Sequence, residues 1–192
     1  MANNNACSTL TDGVYGDACK LLRGGFRDLY VANYGQIDAI TLTADEVDDV
    51  TMKVEPVSGN PFNWFSMRVK KNTGGLQNPG QIGTNNRSVN QVITFTLEGF
   101  STALKLRYDE MLVADLVFIA VRHDNTAHMV GRLSGAQMTT GDLGVGVAID
   151  DLVGAPLEFT ADGELESMRT VAVGTAITVL NEDGVTVSTV TF

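Results

Sequence analysis

Val89-Asn-Gln-Val-Ile-Thr-Phe-Thr-Leu97 carries the clearest structural pattern in this sequence of 192 residues. From Val92 onward, polar and apolar side chains alternate, so Ile93, Phe95 and Leu97 share one face and the intervening threonines share the other. Successive side chains of a β-strand point to opposite faces. The pattern therefore predicts a strand that covers a hydrophobic core on one side.

One helix is predicted immediately after this strand, at about 101–114. Its apolar residues follow the i, i+4, i+7, i+8 spacing of a face that packs on a core; they are Leu104, Tyr108, Met111 and Leu112. Ser101 and Thr102 are both suitable N-caps, because their side-chain oxygens can accept a hydrogen bond from a free backbone N–H.

Beyond the helix the sequence predicts more strands and two hairpins. Asp124-Asn125 is a pair typical of hairpin turns, and a second turn, Asn181-Glu-Asp-Gly184, lies in a C-terminal hairpin at 175–192. The strands predicted in this half of the chain are residues 116–121, 128–133, 157–162, 177–180 and 185–190.

The first half of the chain predicts an arm, a group of strands and a loop. Residues 1–24 are polar and glycine-rich without periodicity, which is typical of an arm that orders against neighbouring subunits. Residues 72–88 form the longest polar stretch, and we expect them to be a long projecting loop. Between these segments an antiparallel meander is predicted, with strands at 26–31, 37–42, 50–57 and 62–69.

These elements predict a mainly β fold, an antiparallel β-sandwich or barrel with one flanking helix. A chain of this length is long enough for one all-β domain with its own core. We therefore expect a single domain at 25–192, preceded by the arm at 1–24.

The charge balance disfavours nucleic-acid binding. There are 23 acidic and 13 basic side chains, so the formal net charge is −10. A surface of this sign repels phosphates, although it would let nucleic acid pass close by without adhering. Apolar residues make up 44% of the chain and charged residues only 19%. This lean charge content indicates that partners cover part of the surface.

The sequence predicts a protein that is made in the cytoplasm and stays soluble, with no membrane partner. No run of 18 apolar residues occurs, and the first residues lack a basic segment followed by an apolar one. In a reducing compartment Cys7 and Cys19 are expected to be thiols.

No motif indicates catalysis, a cofactor or a metal. His123 and His128 are the only histidines, too few for a structural zinc site. Gly131-Arg-Leu-Ser-Gly135 lacks the spacing of a nucleophile elbow, and the glycine-rich stretch at 74–83 lacks the Gly-Lys-Ser/Thr ending of a phosphate loop. The acidic clusters lack the spacing of calcium loops; they comprise Asp45, Glu46, Asp48, Asp49, Asp150 and Asp151. We therefore expect a non-enzyme.

Residues 24–173 carry a family resemblance in the order of their elements. Its carriers are Gly24-Gly-Phe-Arg-Asp-Leu-Tyr-Val-Ala-Asn33, the 72–88 stretch before Gln91–Leu97, the helix from 101, the strand through Val121, Met129–Gly135 and Leu157–Glu164. This order resembles the tail-tube proteins of tailed bacteriophages and of related contractile injection systems. Residues 174–192 fall outside the resemblance.

The resemblance implies a structural virion protein of the tail, assembled in the host cytoplasm, whose subunits form hexameric rings that stack into a hollow tube. It implies an acidic lumen, occupied by the tape-measure protein and passed by genomic DNA without specific binding, and a tail terminator as a further partner. It also implies that the arm and the 72–88 loop contact adjacent rings. The loop residues in this hypothesis are Asn72, Gly75, Leu76, Asn78, Pro79, Ile82, Asn85 and Arg87.

Self-assembly is also expected on physical grounds, because open sheet edges are templates for another chain and ring closure removes them. Three alternatives from the same structural class remain: a head-decoration protein, a tail terminator and a receptor-binding module. A small hydrolase ranks last, because no convergent acid, base or nucleophile is recognisable.

Overall fold

The computed structural model describes residues 25–56, 59–70, 72–82, 87–98, 101–145, 153–164, 166–180 and 187–192. The predicted arm, both cysteines, Asn85 and the Asp150-Asp151 pair lie outside these ranges. The first strands are β1 (Phe26–Asn33), β2 (Ile37–Thr43), β3 (Glu46–Met52), β4 (Trp64–Met67), β5 (Gly75–Gln77), β6 (Gly80–Ile82) and β7 (Arg87–Glu98). Helix α1 (Thr102–Val113) follows. The remaining strands are β8 (Leu116–Arg122), β9 (Ala127–Val130), β10 (Gln137–Gly141), β11 (Gly144–Val145), β12 (Val153–Glu164), β13 (Arg169–Val171), β14 (Ala176–Leu180) and β15 (Val187–Thr191).

A curled nine-stranded sheet forms one layer, in the order β15-β14-β4-β1-β8-β9-β13-β3-β2. Two of its pairs, β14 with β4 and β13 with β3, are parallel, so the sheet is mixed and not purely antiparallel as predicted. The predicted meander is also wrong, because β1 lies between β4 and β8 while β2, among the described strands, pairs only with β3. Turn signals in a sequence show where the chain reverses, but they do not show which distant strands pair.

A smaller antiparallel sheet forms the second layer, in the order β10-β12-β7-β5, with β11 on β12 and β6 on β7. Its long central pair, β7 and β12, stays in register from Glu98 opposite Gly154 to Gln91 opposite Ala161. The prediction for β7 is confirmed, since Ile93, Phe95 and Leu97 are buried in the core between the sheets.

Strand β8 is the central strand of the fold, because both of its faces are buried. Phe118 and Ala120 belong to the core between the two sheets, whereas Val117 and Ile119 belong to a second core on the opposite face of the large sheet. A continuous apolar run is what a strand covered on both faces requires. The sandwich with one helix is therefore built around two cores that share this strand.

Aromatic contacts fix the core between the sheets. The ring of Phe118 lies 4.9 Å from that of Phe159 and 6.0 Å from that of Phe95, and the rings of Phe95 and Phe159 are stacked 5.8 Å apart. Since these residues come from β8, β12 and β7, the cluster holds the two sheets face to face. Aromatic pairs of this kind contribute about 0.5–1.5 kcal/mol each beyond their buried area.

The large sheet curls until β14 approaches β3, and a buried threonine joins them. The hydroxyl of Thr175 lies 3.1 Å from the backbone oxygen of Val47 and 3.1 Å from that of Asp48, and it can donate to one of them at a time. The side chain of Thr175 is buried, so this contact is shielded from water. Beyond Thr175 the two strands separate and leave a groove between them.

The segment at 72–88 is more regular than the predicted loop. Strands β5 and β6 both pair with β7, with Leu76 opposite Ile93 and Gln81 opposite Ser88. Lys70 and Thr73 lie along β7 beyond this pairing: the backbone N–H of Lys70 donates to the backbone oxygen of Thr96, and the N–H of Thr96 donates to the Thr73 hydroxyl. Thr96, expected on an open face, is buried. The glycine-rich, polar composition of this segment concealed backbone pairing that depends on a distant partner strand.

Candidate assembly surfaces

Helix α1 begins at a true N-cap and packs on the core through one face. The side chain of Ser101 accepts a hydrogen bond from the backbone N–H of Leu104, which selects Ser101 from the two predicted caps. Leu104, Tyr108 and Met111 contact the core between the sheets, as predicted. The Tyr108 hydroxyl also donates to the backbone oxygen of Gly141, 3.0 Å away, and ties the helix to β10.

The opposite side of α1 carries exposed apolar side chains among charged ones. Leu106 is 60% exposed and Val113 is 88% exposed, and they are seven positions apart, so they lie on the same side of the helix. Leu112 was predicted to face the core, but it is 50% exposed because it lies about 100° around the axis from Met111. The helix therefore presents apolar side chains both to the core and to the outside.

An apolar row crosses the large sheet from its centre to one edge. Val31 on β1 pairs with Phe65 on β4, Phe65 with Leu180 on β14, and Leu180 with Val187 on β15. Directly opposed residues in neighbouring strands share a face. Val31 is buried, Phe65 is 39% exposed and Val187 is 52% exposed, so the row emerges from the core toward the sheet edge.

The other edge of the large sheet is an acidic hairpin. Strands β2 and β3 are joined at Ala44 and Asp45, both with positive φ, the conformation of a tight two-residue hairpin turn. Exposed carboxylates cover this hairpin; they are those of Asp38, Asp45, Glu46, Asp48 and Asp49. The predicted solvated acidic turn is thus part of a strand pair, and β2 forms the end of the sheet within the described residues.

Residues predicted to contact neighbouring rings occupy two different environments. Leu76 packs against the core, and the side chain of Asn78 accepts a hydrogen bond from the backbone N–H of Met168, 3.1 Å away. Asn72 and Pro79 are exposed. Gly75 lies on β5 opposite Thr94, and Ile82 on β6 opposite Arg87. The contact of this segment with other subunits stays a prediction.

A buried polar network holds the turn after β9. Glu164 is only 1% exposed, and its Oε1 accepts hydrogen bonds from the backbone N–H groups of Leu133 and Ser134 and from the Ser134 hydroxyl. Gln91 accepts a hydrogen bond from the N–H of Gly131 and donates to the backbone oxygen of Glu166. The turn is therefore fixed by side chains from the second sheet.

Charges extend this network toward the acidic hairpin. Glu166 accepts hydrogen bonds from Arg132, at 2.6 Å, and from Arg169, at 2.8 Å, and Arg169 also pairs with Asp45 at 3.3 Å. Burial alone would raise the pKa of Glu166, but the hydrogen bonds from the two arginines outweigh it and lower the pKa. The network thus connects β13, the turn after β9 and the tip of the β2–β3 hairpin.

This network was not identified from the sequence, although one of its two buried members could have been predicted. Gln91 lies in phase with Ile93 and Phe95, so its position on the buried face of β7 was readable from the alternation. Glu164 was not readable in this way, because the register of β12 against β7 shifts between Ala161 and Glu164. Such a bulge changes the phase of inward-facing residues.

Asp124 and His128, both considered in the sequence analysis, lie at the β8–β9 hairpin. Asp124 accepts hydrogen bonds from the backbone N–H and the hydroxyl of Thr126, and Asn125 has a positive φ, so the predicted hairpin turn is confirmed. Burial lowers the pKa of His128, and the positive charge of Arg122 lowers it further, while Asp124 opposes both. Within the described ranges, no three His, Cys, Asp or Glu residues are grouped closely enough to hold a metal ion.

Comparison of the chain with protein-family models, with curated proteins and with solved structures gives no match. In the described part of the chain, no helix has the length and apolar character needed to cross a membrane. The surfaces themselves are therefore the basis for a functional proposal.

Proposed function

We propose that this protein is a structural subunit that assembles with copies of itself into stacked rings, as the major tail-tube protein of a bacteriophage does. The observation that carries the proposal is the pair of exposed apolar side chains on the outer side of helix α1. A surface helix normally keeps its large apolar residues toward the core and charged residues on the opposite side. On the outer side of α1, Leu106 and Val113 stand exposed among the charged residues Arg107, Asp109 and Glu110.

Two other surfaces support assembly through identical neighbours. The row from Val31 to Val187 ends at β15, which pairs only with β14 in the described structure, so apolar side chains and an open strand edge occur together. Strand β2 ends the sheet on the other side. Since two different edges of one molecule can meet head to tail, copies can form a closed ring that removes both.

The charge distribution supports a passage for nucleic acid in such a ring. Exposed carboxylates concentrate on the β2–β3 hairpin, and repetition around a ring axis would multiply them into a negative collar. A collar of this sign repels phosphates, and DNA could move along it without being held. We propose that this hairpin faces the lumen.

The first prediction tests the outer face of α1 with two matched substitutions. Val113→Asp should abolish rings and filaments, because it places a charge in the apolar contact that the exposed Val113 and Leu106 would make with a neighbouring copy. Val173→Asp is the control, since Val173 is 96% exposed and lies in the turn before β14. Both changes are at exposed positions and should alter the free energy of unfolding by only about 0.5 kcal/mol or less.

Negative-stain microscopy and sedimentation velocity at several protein concentrations measure the result. We expect the parent protein and Val173→Asp to form rings or filaments as concentration rises, and Val113→Asp to remain monomeric. Equal assembly of all three proteins would contradict the role of α1. A parent protein that forms only small closed oligomers would favour a head-decoration, terminator or receptor-binding module, and a strict monomer would contradict the proposal.

A further inference from the structure

The large sheet contains a groove of about 440 Å³ between β3 and β14. Residues 49–52 of β3 form one wall and residues 176–178 of β14 form the other, while Phe62 and Trp64 lie between them. The contact of Thr175 with Val47 and Asp48 holds the two walls together at one end. The groove is therefore built into the curl of the sheet.

Both walls present strand edges with free backbone groups. Strand β3 uses one edge for β2, and its other edge pairs with β13 only at Val47. Strand β14 uses one edge for β15, and its other edge pairs with β4 only at Val179 and Leu180. In the described structure, residues 49–52 and 176–178 thus have one unpaired edge each. Such edges bind an extended peptide by strand addition.

The lining of the groove defines the chemistry of the occupant. Its walls are largely apolar, with Val50 and Met52 on β3 and Ile177 on β14. Asp49 also lines the groove and is exposed, next to the exposed Asp48. An extended segment with apolar residues between basic ones would match both features.

This chain contains such a segment, Lys20-Leu-Leu-Arg23, which ends just before the described structure begins at Gly25. Its four residues equal the length of the β3 wall. This segment cannot reach the groove of its own molecule. Trp64, in the groove, is next to Phe65, and Phe65 pairs with Val31 toward the end of β1 that is remote from Phe26. Val31 lies about 17 Å from Phe26 at 3.3 Å per residue, whereas Arg23 can lie at most about 11 Å from Phe26.

We infer that the groove between β3 and β14 is a strand-acceptor site for residues 20–23 of a second copy of this chain. The inference deepens the proposed function and rests on it, because it names one contact through which copies join. The donated strand adds backbone hydrogen bonds to both walls, and its basic ends pair with the carboxylates of β3.

The second prediction detects this contact by disulfide formation between two full-length chains in a Cys7→Ser background. One chain carries Cys19→Ser with Thr178→Cys on the groove wall, and the other retains Cys19 beside the donated strand. The two chains differ in tag length and are mixed with diamide as oxidant. We expect a cross-linked heterodimer on a non-reducing gel. The control replaces Thr178→Cys by Thr139→Cys on β10 of the second sheet, and we expect about tenfold less product.

A charge reversal tests the same contact independently. Asp49→Lys in the acceptor chain should lower the cross-link yield about tenfold, and Lys20→Glu with Arg23→Glu in the donor chain should restore at least half of it. Equal yields at positions 178 and 139, or no restoration, would overturn the inference. Filaments that assemble without this cross-link would overturn the groove contact and leave the proposed self-assembly standing. Monomers without the cross-link would overturn both.

Discussion

Glu164 is a buried residue whose substitution should destabilise the turn after β9. Its Oε1 satisfies two backbone N–H groups of the turn after β9, while its Oε2 has no hydrogen-bond partner among the described residues. In the third prediction, Glu164→Ala lowers the free energy of unfolding by about 1–3 kcal/mol, because it leaves those groups without an acceptor. Glu164→Gln keeps one oxygen and should cost less.

Urea denaturation followed by circular dichroism measures both variants. Glu158→Ala is the control on the same strand, because the Glu158 carboxylate accepts a hydrogen bond from the hydroxyl of Thr139 and from no backbone N–H in the described part of the chain. A loss for Glu164→Ala no larger than that of the control would show that the turn does not depend on the carboxylate.

His128 gives the molecule a pH dependence, which is the fourth prediction. Burial and Arg122 lower the pKa of His128 in the folded protein, so the unfolded chain binds the proton more tightly. The contribution of His128 to stability is therefore complete above the unfolded pKa of about 6.5 and is lost as pH falls through that value toward the folded pKa. We expect His128→Gln to reduce the decline in stability between about pH 6.5 and pH 5.

Thermal unfolding of the two proteins at a series of pH values checks this expectation. His123→Gln is the matched control, because His123 is exposed at the same hairpin. A decline in stability that is identical in parent and His128→Gln would contradict the assignment of that decline to His128.

At the scale of one element, helix α1 depends on its cap. The side chain of Ser101 accepts a hydrogen bond from the N–H of Leu104, 3.1 Å away. In the fifth prediction, Ser101→Ala lowers the free energy of unfolding by about 0.5–2 kcal/mol. Thr102→Ala should leave it nearly unchanged, because Thr102 is the first residue of the helix and not its cap. Chemical denaturation distinguishes the two, and the reverse order would contradict the cap assignment.

For the whole molecule, the sequence predicted the elements better than their arrangement. Alternation in β7, the apolar run of β8 and the cap and periodicity of α1 are local signals, and each element lies close to its predicted position. The parallel pairs of β13 and β14 depend on contacts between residues more than a hundred positions apart. No local pattern encodes such pairing, so the curl of the large sheet and the groove within it could not be predicted.

The same limit applies to the candidate surfaces. Leu106 was visible as an apolar residue outside the predicted core face of α1, so the second face of the helix was readable in principle. The row through Phe65 and Val187 was not readable, because its members become neighbours only when β4, β14 and β15 pair.

The shared strand β8 has a consequence for how the protein loses its structure. Its side chains form part of both cores, so neither core can be opened to water while the other keeps a complete wall. Two cores that met only through a connecting loop could melt in separate steps. Here the loss of one removes support from the other, and the domain should behave as a single cooperative unit on denaturation.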